Sequence, residues 1–107
     1  MSKVSVSVGV SLTVAPQTVH TVYRDRVLTI GMVHLANVTA GAITVQLHYV
    51  PSGGTAAVGN AVLYDFSVAA NDFEELNVGQ LLPEGTAIVA ACSVDNAVNI
   101  LLSGLEE

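Results

Sequence analysis

Residues 3–14 alternate between apolar and small polar side chains with a strict period of two. The even positions are all Val or Leu, and the odd positions from Ser5 to Thr13 are Ser, Gly or Thr. Because successive side chains of a β-strand point to opposite faces, this pattern lays six aliphatic side chains along one side of a sheet. The segment therefore indicates a chain built from β-strands.

Seven further segments have strand-like patterns, and turn residues such as Pro16, Gly53, Gly54 and Pro83 separate them. They are residues 19–23, 27–36, 43–50, 61–68, 73–78, 86–93 and 97–103. No segment combines a capping residue with the 3.6-residue period of a helix. The sequence predicts one all-β domain over residues 1–107, a single antiparallel β-sandwich of jelly-roll or Ig-like kind with about eight strands.

Charge is scarce and unevenly placed. The three basic residues, Lys3, Arg24 and Arg26, precede Val27, while eight of the nine acidic residues follow Tyr64. Charged residues make up 11% of the chain, against about a quarter in typical globular proteins. Such long neutral stretches in a small sheet protein indicate surfaces covered by other subunits, so we expect a homo-oligomer.

The same composition argues against several functions. Nucleic-acid binding needs a basic stripe, which an acidic chain with three basic residues does not supply. No apolar run is long enough for a membrane helix, so we expect no membrane partner. His20, His34 and His48 lack the spacing of metal ligands, Cys92 stands alone in an apolar run, and no nucleophile motif occurs. We therefore predict no enzyme activity, no cofactor and no metal.

Candidate interface residues lie in two places. Lys3, Ser5 and Ser7 belong to the alternating segment, whose twelve residues would span about 40 Å and so exceed an ordinary strand. Residues 1–14 are therefore expected to act in part as a strand or arm that pairs with a neighbouring subunit. Arg24 and Arg26 are expected to make polar contacts with a partner, because the C-terminal acids have almost no basic partner in this chain.

From Val33 onward, the order of strands and turns resembles a family of small β-sandwich proteins found in the virions of tailed bacteriophages. The segment Thr44–Gly54, with its Tyr-Val-Pro-Ser-Gly-Gly junction, is the most specific element of this resemblance. The remaining elements are Leu35–Thr39, Phe66–Asp72, Leu82–Thr86 and Ala97–Gly104. The first strand departs from the usual opening of the family.

The resemblance implies a structural role in the virion and no catalytic residues. A capsid decoration or cement protein, trimeric by analogy, would sit on the capsid surface and bind the major capsid protein or other virion proteins. An alternative is a module of the tail, neck or fibre that binds a host glycan. A stand-alone cellular binding domain is the third class of protein that the sequence permits.

Overall fold

The computed structural model describes residues 4–107, with the backbone alone at Val78. Eight strands lie in this part of the chain, and one short 3-10 turn precedes the fifth. The strands are β1 (Val4–Ser11), β2 (Gln17–Thr21), β3 (Leu28–Asn37), β4 (Ile43–Val50), β5 (Ala61–Val68), β6 (Phe73–Leu82), β7 (Ala87–Cys92) and β8 (Val98–Glu106), and the 3-10 turn is Val58–Asn60. The prediction of an all-β chain is confirmed.

The strands form two four-stranded antiparallel sheets, one in the order β1-β8-β3-β6 and the other in the order β2-β7-β4-β5. The first strand pairs with the last, the second with the seventh, the third with the sixth and the fourth with the fifth. The chain is thus one long hairpin, turning between β4 and β5, that is rolled into a sandwich. This is the jelly-roll arrangement, so the structure decides between the two predicted kinds of sandwich.

The core lies between the sheets, where aliphatic side chains on alternate positions of facing strands interdigitate. The largest fully buried side chains come from both sheets: Leu12, Leu28, Ile30, Leu35, Leu47, Ile88, Ile100 and Leu102. Burying this apolar surface is the main stabilising contribution to the fold.

The first strand is shorter than the alternating pattern predicts. It ends at Ser11, and Leu12 continues into the core. The chain then turns because the Val14 backbone N–H donates to Asp95 Oδ1 at 2.7 Å and the Thr13 hydroxyl donates to the Ala15 carbonyl at 2.7 Å. The aliphatic row therefore divides, since Val14 is exposed while Val6 and Leu12 are buried.

Strand β5 also departs from the regular alternation that its sequence suggests. The pairing of β5 with β4 shifts register twice, and Asp65 has a φ of 51°, in the left-handed region. A bulge of this kind changes which face the following residues point to. Tyr64 is consequently exposed, whereas Val62 and Phe66 pack against the core.

Candidate interaction surface

The outward side of the β1-β8-β3-β6 sheet, called the outer face below, is defined by alternation and register. Inward residues such as Val6, Ile100 and Val33 are buried, so their strand neighbours point to solvent. Four rows of outward residues cross the sheet: Ser5-Leu105-Thr29-Leu81, Ser7-Ser103-Met32-Asn77, Gly9-Leu101-His34-Glu75 and Ser11-Asn99-Ala36-Phe73.

The outer face is almost free of formal charge. Among these sixteen positions, Glu75 is the one acidic residue and there is no Lys or Arg. Large apolar side chains stand exposed on it, with Leu81 at 68%, Phe73 at 55% and Leu101 at 53% of full exposure. Exposed apolar groups within a neutral polar surround are typical of protein interaction surfaces.

Leu101 lies across the sheet toward β1 because its neighbour there has no side chain. A Cβ on Gly9 would lie 2.8 Å from Leu101 Cδ2, so the Leu101 side chain covers the space that Gly9 leaves. A shallow depression of about 360 Å³ runs beside it, between β1, β8 and β3. A second shallow depression, of about 520 Å³, lies around Met32 and Leu105 at the other end of the face.

His34 connects the apolar and the acidic side chains of the outer face. Its ring stacks on Phe73 with ring centroids 5.3 Å apart and an angle of 17° between the planes. His34 Nδ1 lies 3.2 Å from Glu75 Oε2. The one carboxylate of the outer face is therefore engaged by a side chain of the same face.

Two of the five predicted interface residues lie on this surface. Ser5 and Ser7 are exposed on β1 and belong to the outer face, while Lys3 lies outside the described residues. Arg24 and Arg26 lie in the turn between β2 and β3. The role of these residues as contacts with a partner stays a prediction.

The turn that contains Arg24 and Arg26, called the arginine turn below, lies at the end of the sandwich where β1 begins. The register shows this, because Val4 of β1 pairs with Glu106 of β8, which in turn pairs with Leu28 at the start of β3. Arg26 is half-buried, with its guanidinium carbon 6.0 Å from the centre of the Tyr23 ring, whereas Arg24 is exposed. Across residues 4–107, the ion pairs within 4.0 Å are His20–Glu106 and His34–Glu75. Neither arginine is thus paired with a carboxylate of the described chain.

The three histidines lie apart and have different partners. His20 Nε2 is 3.1 Å from Glu106 Oε1, and His48 Nδ1 is 3.0 Å from Asn60 Oδ1. In the part of the chain that the structure describes, no group of three or more His, Cys, Asp and Glu side chains is arranged to hold a metal ion. No helix in that part is long and apolar enough to cross a membrane.

Two further polar side chains, those of Asn37 and Cys92, are buried and hydrogen-bonded within the protein. The Asn37 amide is buried and donates to the carbonyls of Gly41 and Val68 at 2.8 and 3.0 Å, while its Oδ1 accepts from Thr39. Cys92 is buried, and its thiol donates to the Val94 carbonyl at 2.9 Å. Both side chains are engaged inside the protein.

Sequence reasoning did not single out Leu81, Phe73 and Leu101 as surface residues. A signal for one of them exists, because Ile100, Leu101 and Leu102 are apolar on both parities of β8. A strand that is apolar on both faces either is covered on both faces or exposes one of them. The exposed side of β8 became evident only from the sheet order.

No family model and no curated protein matches the sequence. Among solved structures, the chain is similar to one from Bacillus endospore appendages, which form a family of disulfide-linked pili. The TM-score is 0.58 and the identity 11%, over 98% of this chain and 85% of that one. A chain of infectious bursal disease virus, Gx strain, has a TM-score of 0.48 and 14% identity, over 99% of this chain and 30% of that one. At 11% identity, the likeness to the appendage chain shows the shared fold.

Proposed function

We propose that this protein is a structural component of a bacteriophage virion, a capsid decoration or cement protein that binds neighbouring capsid subunits. The observation that carries the proposal is the neutral outer face with its exposed Leu81, Phe73 and Leu101. Jelly rolls are a common fold of viral capsid domains, and the sequence resemblance to phage virion proteins points the same way. One fold serves many functions, so it is the outer face, rather than the fold, that supports this function.

The physical basis of binding would be burial of the outer face against a neutral surface of the partner. Apolar side chains removed from water contribute roughly 25 cal/mol per Å². Ser7, Ser103 and Thr29, which lie between them, are small and can hydrogen-bond across a closely packed interface. The exposed acidic residues outside the outer face would remain in solvent and keep the assembled surface soluble.

The appendage chain with this fold forms disulfide-linked pili, but the chemistry here favours a non-covalent contact. Cys92 is buried and its thiol is hydrogen-bonded within its own subunit, so it is not presented to a neighbour. Assembly would therefore depend on surface complementarity and on main-chain pairing, with the arginine turn adding polar contacts.

A binding experiment with capsids that lack the protein tests this proposal. Wild-type protein should saturate many sites per capsid and raise the temperature at which the particle is disrupted. Leu101→Asp should bind at least tenfold more weakly, because a carboxylate would have to be desolvated in the interface. Val58→Asp is the matched control, since Val58 is also an exposed aliphatic residue and lies away from the outer face.

Equal binding by the Leu101→Asp variant and wild type would contradict the role of the outer face.

A few copies per particle, located on the tail, would replace the capsid proposal with the alternative, a tail, neck or fibre module. The stacked His34 and Phe73 rings beside Glu75 give that alternative a specific site, because sugars pack on exposed aromatic rings and hydrogen-bond to carboxylates. Phe73→Ala should then abolish adsorption to host cells without changing particle stability.

A further inference from the structure

Four strands lie at sheet edges, and three of them have features that discourage pairing with another chain. The pairing of β2 with β7, of β5 with β4 and of β6 with β3 each contains a register shift. β5 also carries Asp65, and β6 carries Glu74 and Glu75. Bulges and charges of this kind are the devices by which natural sheets protect their edges.

The edge strand β1 differs from the other three. It pairs with β8 over eight consecutive residues without a register shift, and it contains no charged residue and no proline. Every second residue of β1 directs its N–H and C=O groups away from β8, toward the open edge. Val4, Val8 and Val10 face inward yet stay partly exposed. The strand is regular, uncharged and incompletely covered.

We infer that β1 pairs with β1 of a second copy, in antiparallel orientation, so that two sheets join into one of eight strands. An antiparallel pair centred on Ser7 sets Ser7 opposite Ser7, Val6 opposite Val8 and Val4 opposite Val10. The alternation is therefore self-complementary, with Val meeting Val on the inner side and small residues meeting on the outer side. The absence of charge favours this pairing, because a charged side chain on β1 would lie near the same charge of the second copy and repel it.

The area of the outer face also favours a second copy. Four strands about 4.8 Å apart, and four rows about 6.8 Å apart, give a planar patch of roughly 500 Å². A stable interface buries about 800 Å² of accessible surface on each partner, so a larger patch than this favours stable binding. The two-fold axis of the proposed pair is perpendicular to the sheet, which places both outer faces on the same side. Together they offer roughly 1,000 Å² to a partner.

This inference deepens the proposed function, since it describes how copies join before they meet the capsid. The pairing has two-fold symmetry, which differs from the trimer implied by the sequence resemblance. The oligomer is measured in solution without capsids, so failure of the pairing is distinguishable from failure of capsid binding.

The experiment compares the oligomeric state of matched lysine variants by sedimentation at low salt. Wild type should be a dimer, and Ser5→Lys/Ser7→Lys should raise the dissociation constant by roughly tenfold, because like charges meet across the new strand pair. Ser103→Lys/Asn99→Lys adds the same charge to the same face on the inner strand β8 and should stay dimeric. Circular dichroism and the melting temperature would verify that each variant folds.

A charge exchange tests whether Ser7 meets Ser7. Ser5→Asp/Ser7→Asp should weaken the dimer to a similar extent, and mixing it in equal amounts with the lysine variant should restore a tight dimer that contains one of each. A monomeric wild type, a trimer, open polymers that grow with concentration, or a mixture that does not recover would each overturn the inference. The inference would also be overturned if the dimer of the β8 control variant dissociated and that of the β1 variant did not. The contact would then lie on the outer face.

Discussion

Glu106 Oε1 lies 3.1 Å from His20 Nε2 and accepts the Tyr23 backbone N–H at 3.2 Å, so one buried carboxylate on β8 connects the two sheets. Glu106→Ala leaves that N–H without an acceptor, which should lower the free energy of unfolding by about 2 kcal/mol. Glu106→Gln keeps an oxygen acceptor and should lose less. Urea denaturation measures both variants, and Glu107→Ala is the exposed control; equal losses at Glu106 and Glu107 would contradict this role.

The hydroxyl of Tyr49 is buried and, within residues 4–107, has no hydrogen-bond partner. Tyr49→Phe removes this unsatisfied group and should raise the free energy of unfolding by about 1 kcal/mol. Tyr64→Phe, at an exposed position, should change it by less than about 0.5 kcal/mol. Thermal unfolding of both variants at neutral pH provides the comparison, and a destabilised Tyr49→Phe would show that the hydroxyl has a partner.

The same hydroxyl predicts a loss of stability in alkali. Burial raises the pKa of Tyr49 above its ordinary value, so the unfolded chain ionises before the folded one. The free energy of unfolding is therefore unaffected by this ionisation below about pH 10 and falls as pH rises above that value. Unfolding free energies measured from pH 8 to 11 should fall less steeply for Tyr49→Phe than for wild type; identical slopes would exclude Tyr49 as the source.

Gly104 permits a close approach between β8 and β3 where their pairing shifts register. A Cβ at this position would lie 2.5 Å from the Thr29 carbonyl oxygen and 3.2 Å from Ile30 Cα, and both of these are backbone atoms that cannot move independently. Gly104→Ala should destabilise the fold by about 3 kcal/mol. Gly41→Ala, with no atom within 4 Å of its Cβ, should be close to neutral, and similar melting temperatures for the two variants would refute the argument.

Arg24 and Arg26 are predicted to contact a partner through charge. Arg24→Ala/Arg26→Ala should weaken assembly severalfold at low ionic strength, and the difference from wild type should shrink as salt is added, because exposed charges are screened. Arg24→Lys/Arg26→Lys keeps the charge and should retain most of the affinity. Binding that ignores both the substitutions and the salt would remove the arginine turn from the interface.

Much of the fold follows from local pattern. Local patterns predict where the strands lie in the sequence, as the alternation in β1 and β4 and the turn residues between strands show. This is possible because strand geometry and turn conformation depend on near neighbours. The bulge at Asp65 is harder to foresee, since no glycine marks it and Asp only tolerates the left-handed region. Strict alternation along β5 would place Tyr64 on the same face as Val62 and Phe66, whereas the bulge leaves it in solvent.

The candidate surface was only partly predictable. The β1 segment with Ser5 and Ser7 could be predicted as a place of contact, because lack of charge is visible in the residues themselves, and this contact stays a prediction. Phe73 and Leu81 could not be assigned to the surface, since apolar residues are expected inside. Their exposure depends on β6 being an edge strand with one face in solvent.

The sequence by itself determined that the chain is a β-sandwich with little charge, because these properties depend on residue type and on a period of two. Tertiary structure decided which strands meet, and thereby created the outer face from β1, β8, β3 and β6, which are distant along the chain. It also left β1 at an edge, paired with β8 on one side and open on the other. The packing of the whole core selects which strands pair in a sheet, and this packing cannot be read from any local segment of the sequence.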